Sequence, residues 1–447
     1  MGCLLSSARD ASPLRRAGSI GEVAVYVPGF RIPQSVDFYQ TLGDSLSKSL
    51  LDRLSALRAN VVAMAASEAR QFTKPERRAA IKHGAFCALL ISLQRRRNAL
   101  ICSVGVYIGS TSSELLGALE NYLPLILGLV KDGCHLRDKV QFIWINQEDD
   151  AKETAIANAW YEVLSVLHLM AMLCLWQANL LLLPKKSREG YQLKLSDAES
   201  RRSSIDVLLK AAGYLDCAIR HVLPQIPPEL RKGLPLDLEE EVLQALCLQA
   251  LGQCVDIQLG MAIDSAKPTL AVKRRLACEM ANYWNQAENN ITKLNPFTDG
   301  WAKKHQLFVK WKCAEAKAAA YYYHGLILDE GNTEKSHGMA IAALQASEEL
   351  LKESKKACEV FHAMPPTSRN PPRWGSMKYL NDKIPKAASS KIQINQDLYN
   401  KERTLVSLPD FALALKPDDY QLPPLDPLWG KEDYHVKKLA TERKEID

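Results

Sequence analysis

The sequence lacks the short motifs that most often identify an enzyme. It contains no glycine-rich phosphate loop of the Walker or dinucleotide type, no His-Glu-x-x-His, no Gly-x-Ser-x-Gly and no Cys-x-x-Cys. Its nine histidines are scattered, with no two at metal-ligand spacing. We therefore expect a protein that is not an enzyme and that binds no metal, cofactor or small-molecule substrate.

Charge of one sign is not concentrated anywhere in the chain. The net charge is +6 over 447 residues, and the longest basic runs, 95–97 and 273–275, are short. Runs of this length are usually solvated faces or loops. The sequence therefore does not indicate a surface that binds nucleic acid.

Eleven cysteines are present, an odd number without disulfide-like spacing. Cys174, Cys217, Cys247 and Cys278 stand among apolar or helical residues, which predicts small buried side chains in a reducing compartment. The segment after Ser6 is too polar for a secretory signal peptide. Both observations favour a location in contact with the cytosol.

One segment, 163–184, is apolar over nearly the length of a membrane span. Ser165, His168, Gln177 and Asn179 interrupt it. A helix that is apolar on almost all sides is also typical of the centre of a large helical protein, so we interpret the segment as a buried helix. His168 is then expected to be a hydrogen-bonded core residue rather than a ligand.

Two short segments, 23–27 and 140–145, have the composition of β-strands, and nearly everything else is helical in pattern. The acidic residues after the second segment are interpreted as a charged turn that leads into a helix at Ala151. Asp237 with Glu240 predicts the start of another helix through a capping box.

A helix–turn–helix of repeat type is visible in the C-terminal half. Apolar and small residues recur every three or four positions from Leu307 to Leu328 and again from Met339 to Leu350, with a break at 330–332. This pair is similar to a tetratricopeptide-type repeat. We expect an irregular helical solenoid, followed by a proline-rich loop at 362–374 and an extended C-terminal segment (378–447).

The N-terminus carries a lipidation signal. Removal of the initiator methionine would expose Gly2 as an amine for N-myristoylation, and Ser6 stands where the motif has Ser or Thr. One myristoyl chain anchors only marginally, and Cys3 is well placed to carry a second chain as a palmitoylation site. We predict a flexible lipid-anchor segment at 1–20 and a polar tail at 431–447.

Several blocks of the sequence together resemble the BRO1 domain of Alix-type endosomal proteins. They are WYEVLSVLHLMAMLCLWQANLLL at 160–182, the stretch 243–284, HQLFVKWKCAEAKAAAYYYHGLILDE within 301–351, and LPDFALALKP at 408–417. The resemblance covers about 21–430, which we take as one BRO1-like domain. It implies a mainly α fold: a curved, boomerang-like helical solenoid with tetratricopeptide-like helix pairs and a small β-sheet near the N-terminus.

The resemblance also implies a partner. BRO1 domains bind the C-terminal amphipathic helix of Snf7/CHMP4-type ESCRT-III subunits, and a few apolar anchors dominate such helix-in-groove contacts. Counting back from ANYW at 281–284 places the matching anchors at Leu259, Val272 and Leu276. The basic run 273–275 lies between the last two, which suits a helix that carries acidic residues.

Another interpretation of the same residues stays open. Val272, Leu276 and Met280 at helical spacing are ordinarily a core stripe rather than a surface. A basic contact of some relatives falls near Ala262 here, so this part of the family pattern is missing.

Other parts of the chain also depart from the family. Residues 85–108 have no counterpart that we recognise and are taken as an unusual insertion. The coiled V-shaped domain and proline-rich tail of Alix are absent, so the chain resembles the single-domain, Brox-type members. Some of these end in a prenylation box, which 444–447 do not provide. Attachment to a membrane would then depend on Gly2 and Cys3.

These observations predict a non-enzymatic adaptor in endosomal sorting or membrane remodelling. Its lipidated N-terminus would hold the domain on the cytosolic face of an endosomal or plasma membrane, with a cytoplasmic pool, where the domain binds ESCRT-III. The alternative is a helical-solenoid scaffold that binds other peptides or ubiquitin on its concave face.

Overall fold

The computed structural model is mainly helical, with a small sheet near the start of the described chain. It describes residues 25–80, 112–131, 135–147, 152–183, 185–186, 193–194, 198–294, 301–331, 333–367, 370–371, 377–394 and 406–430. The predicted anchor at 1–20, the segment 85–108 and the tail at 431–447 lie outside these residues.

The chain alternates long helices with short strands and turns. The helices are α1 (Phe38–Leu42), α2 (Lys48–Ala80), α3 (Ser112–Val130, with 3-10 geometry in its last four residues), α4 (Ala159–Leu182), α5 (Ala198–Cys217), α6 (Pro228–Arg231), α7 (Glu240–Asp264), α8 (Leu270–Ile291), α9 (Trp301–Asp329), α10 (Glu334–Ala363) and α11 (Met377–Ile394). The strands are β1 (Arg31–Pro33), β2 (Phe142–Asn146), β3 (Lys152–Ile156), β4 (Lys185–Lys186) and β5 (Leu193–Lys194).

From α4 onward, each long helix packs against the next long helix in the chain. The pairs in contact are α4–α5, α5–α7, α7–α8, α8–α9, α9–α10 and α10–α11. In such an arrangement, stability comes from interfaces between neighbours in the row. The predicted helical solenoid with a small N-terminal sheet is confirmed.

The α9–α10 pair shows how the sequence pattern produces a close interface. Thr333 caps α10, because its hydroxyl oxygen accepts the Ser336 N–H at 3.1 Å. Gly325, a member of the predicted stripe in α9, leaves no room for a side chain: a Cβ there would lie 2.9 Å from Leu344 Cγ. Glycine at this position therefore allows the two helices to approach each other, as the pattern predicts.

The helix α4 is buried on almost all sides, and every residue from 163 to 175 is buried. The helices α3, α4 and α7 are each long and apolar enough to cross a membrane. However, 61%, 78% and 72% of the residues in their most apolar 18-residue stretches are buried in the fold. The interpretation of this segment as a buried helix is therefore confirmed. His168 is buried, as predicted for a core residue, and desolvation lowers its pKa to about 4. Its Nδ1 has no hydrogen-bond partner among the described residues.

The three strands β1, β2 and β3 form an antiparallel sheet with β2 in the middle. Ile32 pairs with Ile145 across the first two strands. The strand predicted at 140–145 is found as β2. The strand predicted at 23–27 is wrong where the structure describes it, because residues 25–30 are irregular and the first strand is β1.

Tyr26 explains why a strand-like sequence is not a strand. Its ring contacts Phe308 and Phe361, with centroids 5.2 Å away in each case. Its carbonyl oxygen accepts a hydrogen bond from Gln249 Nε2 at 2.9 Å. A side chain thus takes the place of a ladder partner, and the apolar residues around Tyr26 are buried by helices rather than by a sheet.

The helix predicted from Ala151 is also wrong. The chain returns as β3, paired along β2, and α4 starts only at Ala159. Asn158 sets this start, since its side-chain oxygen accepts the Trp160 N–H at 3.0 Å. A strand, β3, therefore stands where the sequence predicts the start of a helix.

Asp237 does not cap α7, contrary to the prediction. Its buried carboxylate accepts two hydrogen bonds of 2.9 Å from Arg31 Nη1, one to each oxygen, and one of 3.3 Å from Asn146 Nδ2. Arg31 also donates to the hydroxyl of Tyr161 in α4 at 2.9 Å. These contacts join the sheet to α4 and to the start of α7, and removing one partner of such a buried pair costs about 3–5 kcal/mol.

The last described segment, residues 406–430, is what we call the strap; it has no regular secondary structure up to residue 426 and ends in a helical turn at 428–430. It crosses the row of helices. The hydroxyl of Tyr321 in α9 donates to the Val406 carbonyl at 3.4 Å. The Asp418 N–H donates to the carbonyl of Leu209 in α5 at 3.3 Å, and Trp429 Nε1 donates to the carbonyl of Leu125 in α3 at 2.9 Å. The predicted extended C-terminal segment is found here.

The same prediction is wrong for residues 377–394, which form α11. Leu380, Ile384 and Ala388 are buried at intervals of four residues, a helical stripe. The helix forms in spite of Pro385 within it. Periodic burial of apolar side chains therefore outweighs the proline at this position.

Two side chains of α8 hold the strap in place. The buried Glu279 carboxylate accepts the N–H groups of Ala414 and Leu415 at 2.6 and 3.2 Å. Tyr283 donates its hydroxyl hydrogen to the Leu415 carbonyl at 2.6 Å. Burial, with the neighbouring Glu279 carboxylate, raises the pKa of Tyr283, so the hydroxyl stays protonated as a donor.

Replacing Glu279 with alanine tests this attachment. Because two backbone N–H groups lose their acceptor, we expect Glu279→Ala to lower the free energy of unfolding by about 1–3 kcal/mol. Amide hydrogen exchange in 406–417 should accelerate as well, measured by mass spectrometry. The exposed Glu353→Ala in α10 is the control and should change stability by less than about 0.5 kcal/mol. Unaltered exchange in the strap of Glu279→Ala would contradict the assignment.

Candidate functional site

The candidate site lies on the first turns of α8. Pro268 and Thr269 precede the helix, and Thr269 Oγ1 accepts the Val272 N–H at 3.4 Å, which satisfies one free amide of the first turn. Val272 is 45% exposed, Leu276 is half-buried against the core, and Met280 is 2% exposed. The stripe formed by Val272, Leu276 and Met280 is therefore buried in the core at Met280 and lies on the surface at Val272. The core interpretation applies to its end, and the surface interpretation to its beginning.

Leu259, the third predicted anchor, is not on this surface. Its side chain is 0% exposed, and the neighbouring Ala262 is also buried. The reason is that α7 lies between α5 and α8 in the row, so its apolar residues are covered from both sides. A side chain without exposed surface cannot contact a partner in this conformation, which leaves Val272 and Leu276 as the predicted anchors.

Basic side chains flank these two residues. Arg275 is exposed and Lys273 is half-buried. The Arg274 guanidinium lies 5.6 Å from the centre of the Phe411 ring, so it contributes a cation–π contact that joins α8 to the strap. The surface thus combines an exposed apolar side chain with positive charge, as the sequence predicts.

A groove of about 530 Å³ opens further along α8. Apolar side chains such as Leu248 in α7 and Leu413 in the strap line it, together with the amides of Gln286 and Asn290. Asn290 follows Leu276 by two intervals of seven residues, which places both on one side of α8. The groove and the candidate surface therefore share a side of the helix, with the Glu279 attachment of the strap between them.

The groove is lined by a thiol and a carboxylate as well as by apolar and amide side chains. Cys247 is among its lining residues, and burial raises the pKa of this thiol to about 12, so it is not a thiolate at neutral pH. Asp216 on its rim pairs with Arg220 at 2.8 Å. In the described part of the chain, no group of three or more His, Cys, Asp and Glu could hold a metal ion. Cys174, Cys217 and Cys278 are buried like Cys247, as predicted.

Sequence reasoning missed the groove because the strap forms one of its walls. The signal that predicts the strap is present, since Phe411, Leu413 and Leu415 alternate with Ala412 and Ala414. This period of two indicates an extended segment with one buried side. It does not identify the helices that the segment covers. The predicted lipidation sites lie outside the described residues.

Comparisons with known proteins agree with this architecture. A family model described as a BRO1-like domain matches residues 85–404, a range that includes the segment 85–108. Among solved structures, the chain is similar to ALIX in complex with the SIVmac239 PYKEVTEDL late domain, with a TM-score of 0.56 and 17% identity. The match covers 92% of this chain and 51% of the ALIX chain in that structure, so this chain spans about half the length of that ALIX chain. No curated protein sequence matches it directly.

Two further solved structures are similar over nearly their whole length. The first is the ALIX BRO1–CHMP4C complex, with a TM-score of 0.51 and 16% identity over 91% of this chain and 96% of that one. The second describes the structural basis for endosomal targeting by the Bro1 domain, with a TM-score of 0.52 and 15% identity over 95% and 98% of the two chains. At these identities the likeness concerns the fold.

Aspartate substitutions separate the exposed anchor from the buried one. We expect Leu259→Asp to lower the free energy of unfolding by about 3–5 kcal/mol, because it places an unpaired charge in the core. Val272→Asp, at a half-exposed position, should change it by less than about 0.5 kcal/mol. Urea denaturation of both purified variants measures the difference. Equal stability of the two variants would contradict the burial of Leu259.

Proposed function

Because the chain belongs to the BRO1-like domain family, we propose that it is a non-enzymatic adaptor that binds the C-terminal amphipathic helix of a Snf7/CHMP4-type ESCRT-III subunit. The observation that supports this most directly is the exposure of Val272 at the start of α8. Few large apolar side chains among the described residues are equally exposed. An exposed apolar anchor beside a half-buried one is what helix-in-groove binding requires.

The proposed contact uses two anchors on consecutive turns. Val272 and Leu276 are four residues apart, so they project from the same side of α8. A partner helix that places apolar residues over them would remove both from water, and full burial of such a side chain contributes about 1.5–3 kcal/mol. Leu276 is already half-buried, so Val272 supplies the larger change in exposed area.

Positive charge next to the anchors selects an acidic partner. Arg275 is exposed beside Val272 and Leu276, while Arg274 is occupied by its contact with Phe411. Exposed charges of this kind act mainly on association rate and on orientation. The proposed complex therefore weakens as the salt concentration rises.

We further propose that the N-terminus anchors the adaptor to a membrane. Myristoylation of Gly2 with palmitoylation of Cys3 provides the two chains that stable attachment requires. Tethering raises the effective concentration of the domain where an ESCRT-III filament grows. The cytosolic face of an endosome is the location we favour, since one similar structure concerns endosomal targeting by a Bro1 domain. The plasma membrane and a cytoplasmic pool are further proposed locations.

The groove supports a second candidate function, a scaffold for other peptide segments. Its apolar lining, with Gln286 and Asn290 as amide donors and acceptors, suits an extended peptide whose backbone needs partners. In this alternative, Val272 and Leu276 are not required for binding. Ubiquitin, considered above, is a larger ligand whose contacts would have to extend beyond the groove.

Titration with a defined peptide tests the proposed adaptor function. We expect the full-length, unlipidated chain to bind the C-terminal helix peptide of a Snf7-type subunit, measured by isothermal calorimetry. Val272→Asp should weaken binding at least tenfold, because a charge replaces the anchor. Leu276→Asp should do the same, with its folding checked by circular dichroism.

The matched control is Val360→Asp in α10, which changes a valine that is 53% exposed at a remote position. This variant should bind like the unmodified chain. Equal affinity of Val272→Asp and Val360→Asp would remove the α8 surface from the mechanism. Binding that depends instead on Gln286 and Asn290 would favour the groove.

Membrane attachment is tested by substitutions in the anchor. Gly2→Ala removes the myristoyl acceptor, so we expect nearly all of the protein to move from the membrane fraction to the soluble fraction. Cys3→Ser leaves one chain and should give weak, reversible attachment. Cell fractionation with mass spectrometry of the N-terminal peptide measures both effects, and Ser7→Ala is the control. A membrane fraction unchanged in Gly2→Ala would contradict lipid anchoring.

A further inference from the structure

The groove on α8 is lined in large part by aliphatic side chains that the fold covers only partly. Leu248 of α7, Leu413 and Leu415 of the strap, and Ile219, which follows α5, are all half-buried around it. The volume of the groove, about 530 Å³, lies within the range of roughly 300–1,000 Å³ that is usual for pockets that hold small ligands. The groove therefore offers an apolar ligand a surface that water otherwise covers.

The amide side chains on the rim of the groove already have partners within the fold. Gln286 Nε2 donates to Asn282 Oδ1 at 2.8 Å, and Asn290 Oδ1 accepts a hydrogen bond from Lys293 Nζ at 3.1 Å. Gln244 donates at 2.9 Å to the glutamate one turn before it. Part of the hydrogen-bonding capacity of the rim is thus used internally, and a hydrocarbon chain, unlike a peptide backbone, needs no partners there.

The wall formed by the strap has its backbone occupied at Leu415. The N–H of this residue donates to Glu279, and its carbonyl accepts the hydroxyl hydrogen of Tyr283. An added peptide strand therefore cannot pair with the strap at Leu415, whereas its side chain is available for apolar contact. The thiol of Cys247, which also lines the groove, is buried and neutral. Wall and lining both favour a ligand without hydrogen-bonding groups.

The described chain begins close to this groove. Val25 is buried, and the Tyr26 carbonyl is hydrogen-bonded to Gln249 in α7, the residue after Leu248. Consecutive residues of a helix project about 100° apart, so the attachment of Tyr26 and the groove lie on neighbouring sides of α7. The segment 2–24 precedes this attachment, and a chain of that length spans at most roughly 80 Å. Gly2 is therefore within reach of the groove.

The charges beside the groove suit the same segment. Pro417, which lines the groove, is followed by two exposed acidic residues, Asp418 and Asp419, and is preceded by one exposed lysine. The segment 2–16 carries three arginines and a single acidic residue. Opposite charges therefore favour the placement of this segment beside the end of the groove that the strap forms.

We propose that the groove holds the myristoyl chain of Gly2 when the protein is not attached to a membrane. The inference rests on the proposed myristoylation of Gly2, and it gives the proposed cytoplasmic pool a physical basis, because the fold rather than a bilayer removes the acyl chain from water. Insertion of the chain into a membrane empties the groove. The site is separate from Val272, since the attachment of the strap at Glu279 lies between them.

Titration with synthetic acyl peptides tests the proposal without requiring that a cell acylate the chain. The probe is a peptide of residues 2–12 with an N-terminal myristoyl group and a fluorophore at its other end. Fluorescence anisotropy measures its binding to the full-length, unlipidated chain at peptide concentrations too low for micelles. We expect the N-acetyl peptide of the same sequence to bind at least a hundredfold more weakly. Over a series of N-acyl lengths from octanoyl to stearoyl, affinity should rise about threefold per methylene while the chain fits the groove, and then level off.

Substitutions in the lining locate the bound chain. Leu248→Trp places a ring in the groove, and Ile219→Asn makes its lining polar, so each should weaken binding of the myristoyl peptide at least tenfold. Both residues are half-buried, and the melting temperature of each variant shows that it is folded. Val360→Asn in α10 is the remote control and should bind the peptide like the unmodified chain. Val272→Asp should bind it equally well, which separates this site from the proposed ESCRT-III contact.

Three results would overturn the proposal. They are a myristoyl peptide that binds no better than the N-acetyl peptide, an affinity that keeps rising with chain length through stearoyl, and groove variants that bind like the unmodified chain. Cell fractionation of Gly2→Ala reports separately on the anchor. An unacylated Gly2 in cells would remove the anchor and the source of the acyl chain, whereas the titration alone decides whether the groove holds such a chain.

Discussion

The structure depends on one constraint: each long helix from α4 to α11 meets chiefly the next long helix in the row. Such a row buries the faces between neighbours but provides no contact between helices that are far apart in it. The strap connects distant helices of the row, since it forms hydrogen bonds with α9, α8, α5 and α3. It does so mainly with its backbone, and one buried carboxylate, Glu279, accepts two of its N–H groups.

The route of the strap also determines which surfaces stay open. Phe411 reaches Arg274, and the next residues are bound at Glu279 and Tyr283, so the strap covers the middle of α8. Val272, at the first turn, remains 45% exposed. Beyond the strap, the groove opens on the same side of the helix. One extended segment thus divides a helix side into an apolar surface, an attachment point and a groove.

Much of this fold follows from sequence patterns that have a single physical cause. The stripe from Leu307 to Leu328 predicts a helix pair because apolar residues at intervals of three and four can be buried only by another helix. The buried helix α4 and the strand β2 were predictable from composition and length. The blocks that resemble BRO1 domains added the combination of a helical solenoid with a small N-terminal sheet, which periodicity alone does not provide.

Three of the failures share a different cause, namely contacts between residues far apart in the chain. Tyr26 is in a strand-like sequence, but its carbonyl accepts a hydrogen bond from Gln249. Asp237 stands where a helix cap is expected, but its carboxylate pairs with Arg31. Leu259 and Val272 are both apolar residues of long helices, yet one is buried and the other exposed, because α7 lies between two helices and the start of α8 does not. No local window of sequence contains that information.

The place of Trp429 has a consequence for how the protein is made. The indole fills a niche over Gly128 and donates to Leu125, a residue 304 positions earlier in the chain. A ribosome must therefore add 304 residues after Leu125 before this part of α3 is covered. Until then the nascent chain presents an unfilled apolar niche of the kind that chaperones bind, and a truncated product keeps it permanently. The covering of α3 by Trp429 therefore depends on synthesis of the strap.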